Sequence, residues 1–235
     1  MLLLLFTAGA APAESDSVCQ TQSGATIMPV VELYTSEGCS FCPPADQWLS
    51  GLKGKAVVAQ AFHVGYWDYI GWVDRFATAS NTQHQREVAA LNHLSSLYTP
   101  QVVKNGREWR GWLRSGASLD TAAPARAAIT LRRSGEKDRF SARVSPSDPK
   151  TAWGAYWSVT ENGHSSRVKA GENAGEFLQH DFVVRQYTPV GRFEGTQQLG
   201  FFAIAPTPGH VRNINLVVFD TGSGETLQSA SLRCD

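Results

Sequence analysis

Apolar residues along this chain fall mostly in short unbroken runs or at every second position. Pro29–Thr35 ("PVVELYT") is Val-rich, lies between Pro and Gly, and predicts a buried strand. Pro44–Leu52 ("PADQWLSGL") spaces its apolar residues as a helix does and stops at glycines. Ala56–Val64 ("AVVAQAFHV") predicts a second strand, followed by an aromatic loop, "GYWDYIGW". Arg75–Leu97, with Val88, Leu91 and Leu94 at helical spacing, predicts one or two helices. Gln101–Lys104 then reads as a strand, Asn105-Gly106 as a hairpin turn, and Glu108–Trp112 as the return strand.

The order strand, helix, strand, helix, hairpin implies a small α/β layer with a parallel pair and an antiparallel edge. Ser115–Pro124, rich in Ser and Ala, reads as a boundary. Beyond it the pattern alternates in "AAITLRR", "RFSARVS", "GAYWSVTENG", "HDFVVRQY", "LGFFAIA", "NINLVVFD" and "ETLQSASL", with turn residues between them. Some seven short strands with little helix predict an all-β, sandwich-like region.

Charge narrows the function classes. Lys plus Arg and Asp plus Glu balance at 21 each, so no bulk charge points to nucleic acid or an anionic membrane. Only 18% of the 235 residues are charged and seven are Trp, which suits a secreted, rigid protein. Leu2–Ala10 followed by Ala11-Pro12-Ala13 reads as the end of a secretory signal over residues 1–13, its basic start lying upstream. That run is too short for a ~30 Å hydrocarbon core, so no membrane span is expected once the signal is cleaved. Periplasmic or secreted localisation follows, where disulfides persist.

The four cysteines are Cys19, Cys39, Cys42 and Cys234. Cys19 and Cys234 read as a structural disulfide joining the two ends of the mature chain, worth ~4–5 kcal/mol by loop entropy. Cys39 and Cys42, in "YTSEGCSFCPPAD", lie between a strand and a helix. A helix N-terminus favours thiolate, so Cys39 is expected to be the exposed attacking sulfur and Cys42 the buried resolving one. Half a zinc site, a soft copper(I) site completed by His63, and an inert disulfide remain open alternatives. Thr99-Pro100 precedes an apolar strand, where a cis-proline faces the cysteine pair in a thioredoxin-like fold. Glu32, inside a buried strand, is a candidate to take the Cys42 proton. His63, Tyr66, Trp67, Tyr69 and Trp72 read as packing residues or as the walls of a groove.

"VVELYTSEGCSFCPPAD", "FHVGYWDYIGW", "YTPQVVKNG" and "KAGENAGEFLQHDFVVR" resemble the DUF1223 family of exported bacterial proteins. The resemblance implies a thioredoxin-like domain carrying Cys-x-x-Cys, followed by a β-rich domain, with no biochemical role assigned. Gly65 stands where Asp is usual, and Val73 where Lys is frequent; Asp68 is the nearest carboxylate to take over.

The expected architecture is therefore an N-terminal segment (14–27), an α/β thioredoxin-like domain (28–116) and a β-sandwich-like domain (117–235). The expected activity is thiol–disulfide exchange on protein or small-molecule thiols and disulfides, with Cys39 and Cys42 reacting and Thr99 and Pro100 holding substrate. No metal or other cofactor is required, because the disulfide carries the electrons. The rivals are a non-enzymatic binding protein whose disulfide is inert, and a copper(I) carrier.

Overall fold

The structure is a computed structural model that describes residues 19–114, 118–119 and 123–234. The signal segment (1–13) and the boundary between residues 116 and 117 lie outside the described residues. In chain order the first half contributes β1 (Gln20–Gln22), β2 (Val30–Thr35), α1 (Pro43–Ser50), β3 (Val58–His63) and a 3-10 segment (Gly65–Ile70). It continues with α2 (Ala79–Leu91), β4 (Gln101–Lys104) and β5 (Arg107–Glu108). The second half contributes β6 (Ala127–Arg133), β7 (Arg139–Pro146), β8 (Trp153–Glu161), β9 (His164–Arg167), β10 (Phe177–His180) and β11 (Val183–Phe193). It ends with β12 (Gln197–Phe202), β13 (Arg212–Asp220) and β14 (Thr226–Leu232).

These strands assemble into three sheets among the described residues. The largest has eight strands in the order β14-β13-β8-β11-β3-β2-β4-β5. Four more strands, β1-β6-β7-β12, form a second sheet, and β9 pairs only with β10. Ile129, Leu131, Phe140 and Val144 of the four-stranded sheet pack on Trp153, Trp157, Leu216 and Val218 of the large sheet. The opposite face, carrying Val30, Tyr34, Phe62, Tyr156 and Val217, is covered by Val88 of α2. α1 covers a third core, with Ala45 and Leu49 over Val31, Leu33, Ala59 and Ala61.

The expected thioredoxin-like α/β domain followed by a separate sandwich-like domain is not what the chain builds. The protein is mostly β; α1 and α2 supply only 8 and 13 helical residues. Strands from the two halves belong to one sheet. β11 lies beside β3 in parallel at Val183–Ala61, and Ala61 N donates to Phe182 O at 2.8 Å. The physical reason lies in the buried polar residues of β2 and β3. Glu32 and Gln60 are almost wholly buried and need partners. β8 supplies them: Tyr156 donates to Glu32 Oε1 at 2.5 Å, and Ser158 donates to Gln60 Oε1 at 2.5 Å. The edge of β3 is thus closed by the second half rather than left as the border of its own domain.

Candidate functional site

Cys39 and Cys42 are joined in a disulfide in the turn between β2 and α1. Cys39 N donates to Ser36 O and Cys42 N to Cys39 O, both at 3.1 Å, which coils this segment into consecutive tight turns. Cys42 is the N-cap of α1, and Pro43 and Pro44 occupy the first turn. Prolines have no N–H, so the helix end presents fewer donors to a thiolate than the sequence suggests.

The exposed Cys39 expected from the sequence is not found. Cys39 is 1% and Cys42 0% exposed, although Phe41 between them is 80% exposed. The cover comes from the second half. Asn173, in the loop joining β9 to β10, donates from Nδ2 to Glu37 O at 2.8 Å and to Cys39 O at 3.0 Å. Its neighbour Glu172 accepts from Ser40 N at 3.1 Å. On another side, a Cβ built on Gly38 would lie 3.0 Å from Trp67 Cβ, so a side chain there would press on Trp67.

Beneath the disulfide lies a cluster of ionisable residues. Asp46 follows Cys42 by four positions on α1, donating its N–H to Cys42 O at 3.1 Å, which makes the two side chains neighbours on one face. Its carboxylate accepts from Thr35 Oγ1 at 3.1 Å. Burial pushes the Asp46 pKa up to about 6, against the pull of His180 and His63. His63, beside Thr35 in the β2–β3 register, donates from Nδ1 to Asp74 Oδ2 at 2.6 Å. Burial pushes the His63 pKa down, but Asp74, Asp46 and Glu37 hold it above the ordinary value. Asp74 in turn is raised by burial and brought below its ordinary value by His63 and by the N–H groups of Glu37 and Phe76. Glu37 accepts from Trp72 Nε1 at 2.7 Å and faces His180 Nε2 at 3.2 Å. Burial raises Glu37, yet these neighbours leave it below its usual value. His63 Nε2 and His180 Nδ1 are buried without a hydrogen-bond partner.

Glu32 lies elsewhere. It shares the α2 face with Val30 and Tyr34, whereas Val31, Leu33 and Thr35 face α1. Its carboxylate accepts from Tyr156, from Tyr34 at 3.1 Å and from His84 Nε2 at 3.0 Å. Burial alone would raise its pKa, but His84 and these hydrogen bonds hold it below the ordinary value. The expected relay role under Cys42 therefore falls to no atom of Glu32; Asp46 occupies that place. The sequence reading missed Asp46, Asp74, Asn173 and His180. Only the resemblance of "KAGENAGEFLQHDFVVR" to the family pointed toward the last two.

The Thr99–Pro100 peptide is cis. Thr99 Oγ1 accepts from Trp67 Nε1 at 2.7 Å, so its hydroxyl is tied to the same tryptophan that abuts Gly38. Pro100 lines an open groove with Tyr98, Trp109, Arg110 and Trp112. Trp48 of α1 packs against Trp109 and Trp112, with ring centroids 5.7 and 5.0 Å apart. Gly65, where a carboxylate was expected, is adjoined by Asp68, whose Oδ2 would lie 3.4 Å from a Cβ there. Cys19 and Cys234 form a second disulfide, 215 positions apart in the sequence. Two disulfides fit an oxidising compartment. Among the described residues no group of three or more His, Cys, Asp or Glu is placed to hold a metal ion. Nor is any described helix long and apolar enough to cross a membrane.

Fold and site together define a β-rich, disulfide-bonded protein with a shielded Cys-x-x-Cys pair above a buried acid–imidazole cluster. The chain belongs to the DUF1223 family, described as proteins of unknown function, whose model matches residues 30–219. It is similar to a crystal structure of a protein from Agrobacterium tumefaciens at 24% identity and TM-score 0.70, over 91% of this chain and 97% of that one. It is also similar to HBP35 of Porphyromonas gingivalis at 13% identity and TM-score 0.57, over 89% and 76% of the two chains. Both likenesses concern the fold alone. No curated protein matches the chain.

Proposed function

We propose that this protein is an exported thiol–disulfide oxidoreductase acting through Cys39 and Cys42 on protein or small-molecule thiols. A substrate thiolate attacks Cys39 Sγ, the Cys39–Cys42 bond breaks, and Cys42 leaves as a thiolate that takes up a proton. In the reverse sense Cys42 loses that proton, attacks the mixed disulfide at Cys39 and releases the substrate thiol. The electrons come from or go to the substrate thiols, so no other cofactor enters. The observation that carries this reading is Asp46. A buried carboxyl with a pKa near 6, one helical turn from Cys42 and within the field of His63 and His180, is what proton exchange with a buried sulfur calls for and what an inert staple does not need. Export to the periplasm or beyond the cell is supported by the apolar leader Leu2–Ala10 and by the two disulfides.

The second reading, an inert disulfide within a binding protein, is favoured by the shielding of both sulfurs. Equilibration of the mature protein with glutathione buffers, read by thiol alkylation and mass spectrometry, separates the two. The exchange reading expects a reversible potential between ~−120 and ~−270 mV; a pair still oxidised below ~−300 mV is a staple.

A further inference from the structure

We propose that the tip of the β9–β10 hairpin is a lid on the Cys39–Cys42 disulfide, latched by Asn173 and Glu172, which must lift before a thiol can attack. The proposal rests on the exchange reading and adds to it the control of access.

Three observations carry it. The first is connectivity. β9 and β10 pair with each other alone, at Phe177–Arg167 through His180–His164, and hydrogen-bond through their strands to neither of the other sheets. The second is the make-up of the tip. Through residues 169–177 the chain is exposed or half-buried except at Asn173, which turns inward. The tip is also internally braced: Gly175 N donates to Val168 O at 2.9 Å, Glu176 N to Asn173 O at 3.0 Å and Val168 N to Glu176 O at 3.0 Å. It can therefore move as a unit about the buried Val168 and Leu178, which anchor the base. The third is where the latch falls. Asn173 holds the carbonyls of Glu37 and Cys39, and Glu172 holds the N–H of Ser40. These backbone groups flank the sulfur that must be reached. Ala170 and Gly171 add light contacts with Gly71 and Ile70, which loosen when the tip rises.

Lifting the tip breaks three hydrogen bonds and returns their backbone groups to water, leaving the cores beneath α1 and α2 untouched. That is a local opening, of lower cost than global unfolding. Closed, the lid keeps bulk thiols from the disulfide; open, it exposes the Cys39 flank beside the already exposed Phe41.

The test is the rate at which dithiothreitol reduces Cys39–Cys42 in the folded protein, its two thiols supplying the electrons and leaving as a cyclic disulfide. Asn173→Ala should react about tenfold faster than wild type and Glu172→Ala a few-fold faster. Amide exchange should quicken at Ser40 and across 169–176 while the urea midpoint holds. Equal rates in all three proteins overturn the lid, and a wild-type potential in the exchange range then leaves the oxidoreductase reading standing. A disulfide that resists reduction in every variant until the protein is denatured overturns both.

Discussion

At the scale of single residues, the chemistry of the site turns on which carboxylate lies under Cys42. Residue parity along β2 separates the candidates: Thr35 shares a face with Leu33, and Glu32 has the other. Glu32 is fixed by hydrogen bonds from His84, Tyr156 and Tyr34, which suits it to holding strands together. Asp46 instead titrates near neutrality, its pKa lifted by burial from 3.8 to about 6. An acid held above its unfolded pKa binds its proton more tightly when folded. Its contribution to stability is whole below 3.8 and is lost as pH rises to about 6. Asp46→Asn removes this loss and can keep the bond to Thr35. Relative to wild type, the variant should gain about 2–3 kcal/mol between pH ~3.5 and ~7.5, measured by urea unfolding at the two pH values. It should also lose the rise in exchange rate expected of wild type as pH passes through about 6. A stability difference that stays flat with pH would show that Asp46 has the same pKa folded as unfolded and is not poised for proton exchange near neutrality. Such a gain in stability with a loss in rate is the expected mark of a strained functional group.

At the scale of elements, two turns lock the halves together. The β4–β5 turn at Gly106 meets the β13–β14 turn at Gly224: a Cβ on Gly106 would lie 2.0 Å from Gly224 O and 2.8 Å from its carbonyl carbon. No side chain fits, and backbone cannot step aside as a flexible side chain does. Gly106→Ala should therefore destabilise by about 3 kcal/mol or more. Gly54→Ala, with a similar φ of 79° but nothing within 4 Å, should cost only the left-handed backbone penalty, about 1–2 kcal/mol. Similar losses at both positions would mean that the turns do not meet as described. How far such elements were legible in the sequence follows from their periodicity. Gln101–Lys104 and its Asn105-Gly106 turn were readable because apolar residues and turn chemistry are local signals. The seven alternating segments of the second half were readable for the same reason. β9 ("HSSR") and β10 ("FLQH") were not: four polar-rich residues carry no alternation to detect. Since that hairpin bears Asn173 and His180, the cover of the site was hidden while Cys39 and Cys42 stood in plain view. Nor could the sequence show which face of β2 is covered by α1, and this sent the relay assignment to Glu32.

For the whole molecule, the decisive contact is non-local and left no trace in any window of sequence. Within the large sheet the direct strand pairing between the halves is brief, a single register pair at Val183–Ala61, and β1 adds three pairs with β6 in the four-stranded sheet. Around it, side chains stitch the seam: Gln60 donates to Tyr156 at 2.9 Å, Tyr187 OH lies 3.0 Å from His84 Nδ1, and Thr226 N donates to Asn105 O at 3.3 Å. Most of these groups are buried, so opening the seam would leave charged and polar atoms unpartnered on both sides, a cost of several kcal/mol. The Cys19–Cys234 bridge adds a covalent tie across 215 residues, which shrinks the unfolded ensemble of the whole chain. The two halves should then unfold in one cooperative transition, with Trp fluorescence and far-ultraviolet circular dichroism changing at the same urea concentration. Replacing Cys19 and Cys234 together by Ser should lower the midpoint, by up to about 5 kcal/mol in stability, yet keep the transition single. The buried seam, which the double replacement leaves intact, keeps the transition single. A residue 28–116 fragment, stripped of Tyr156 and Ser158, should fail to fold, because Glu32 and Gln60 would lose these partners and β3 would become an open edge. Two separated transitions in the intact chain, or a stably folded fragment, would restore the picture of independent halves and detach the hairpin's cover from the stability of the site beneath it.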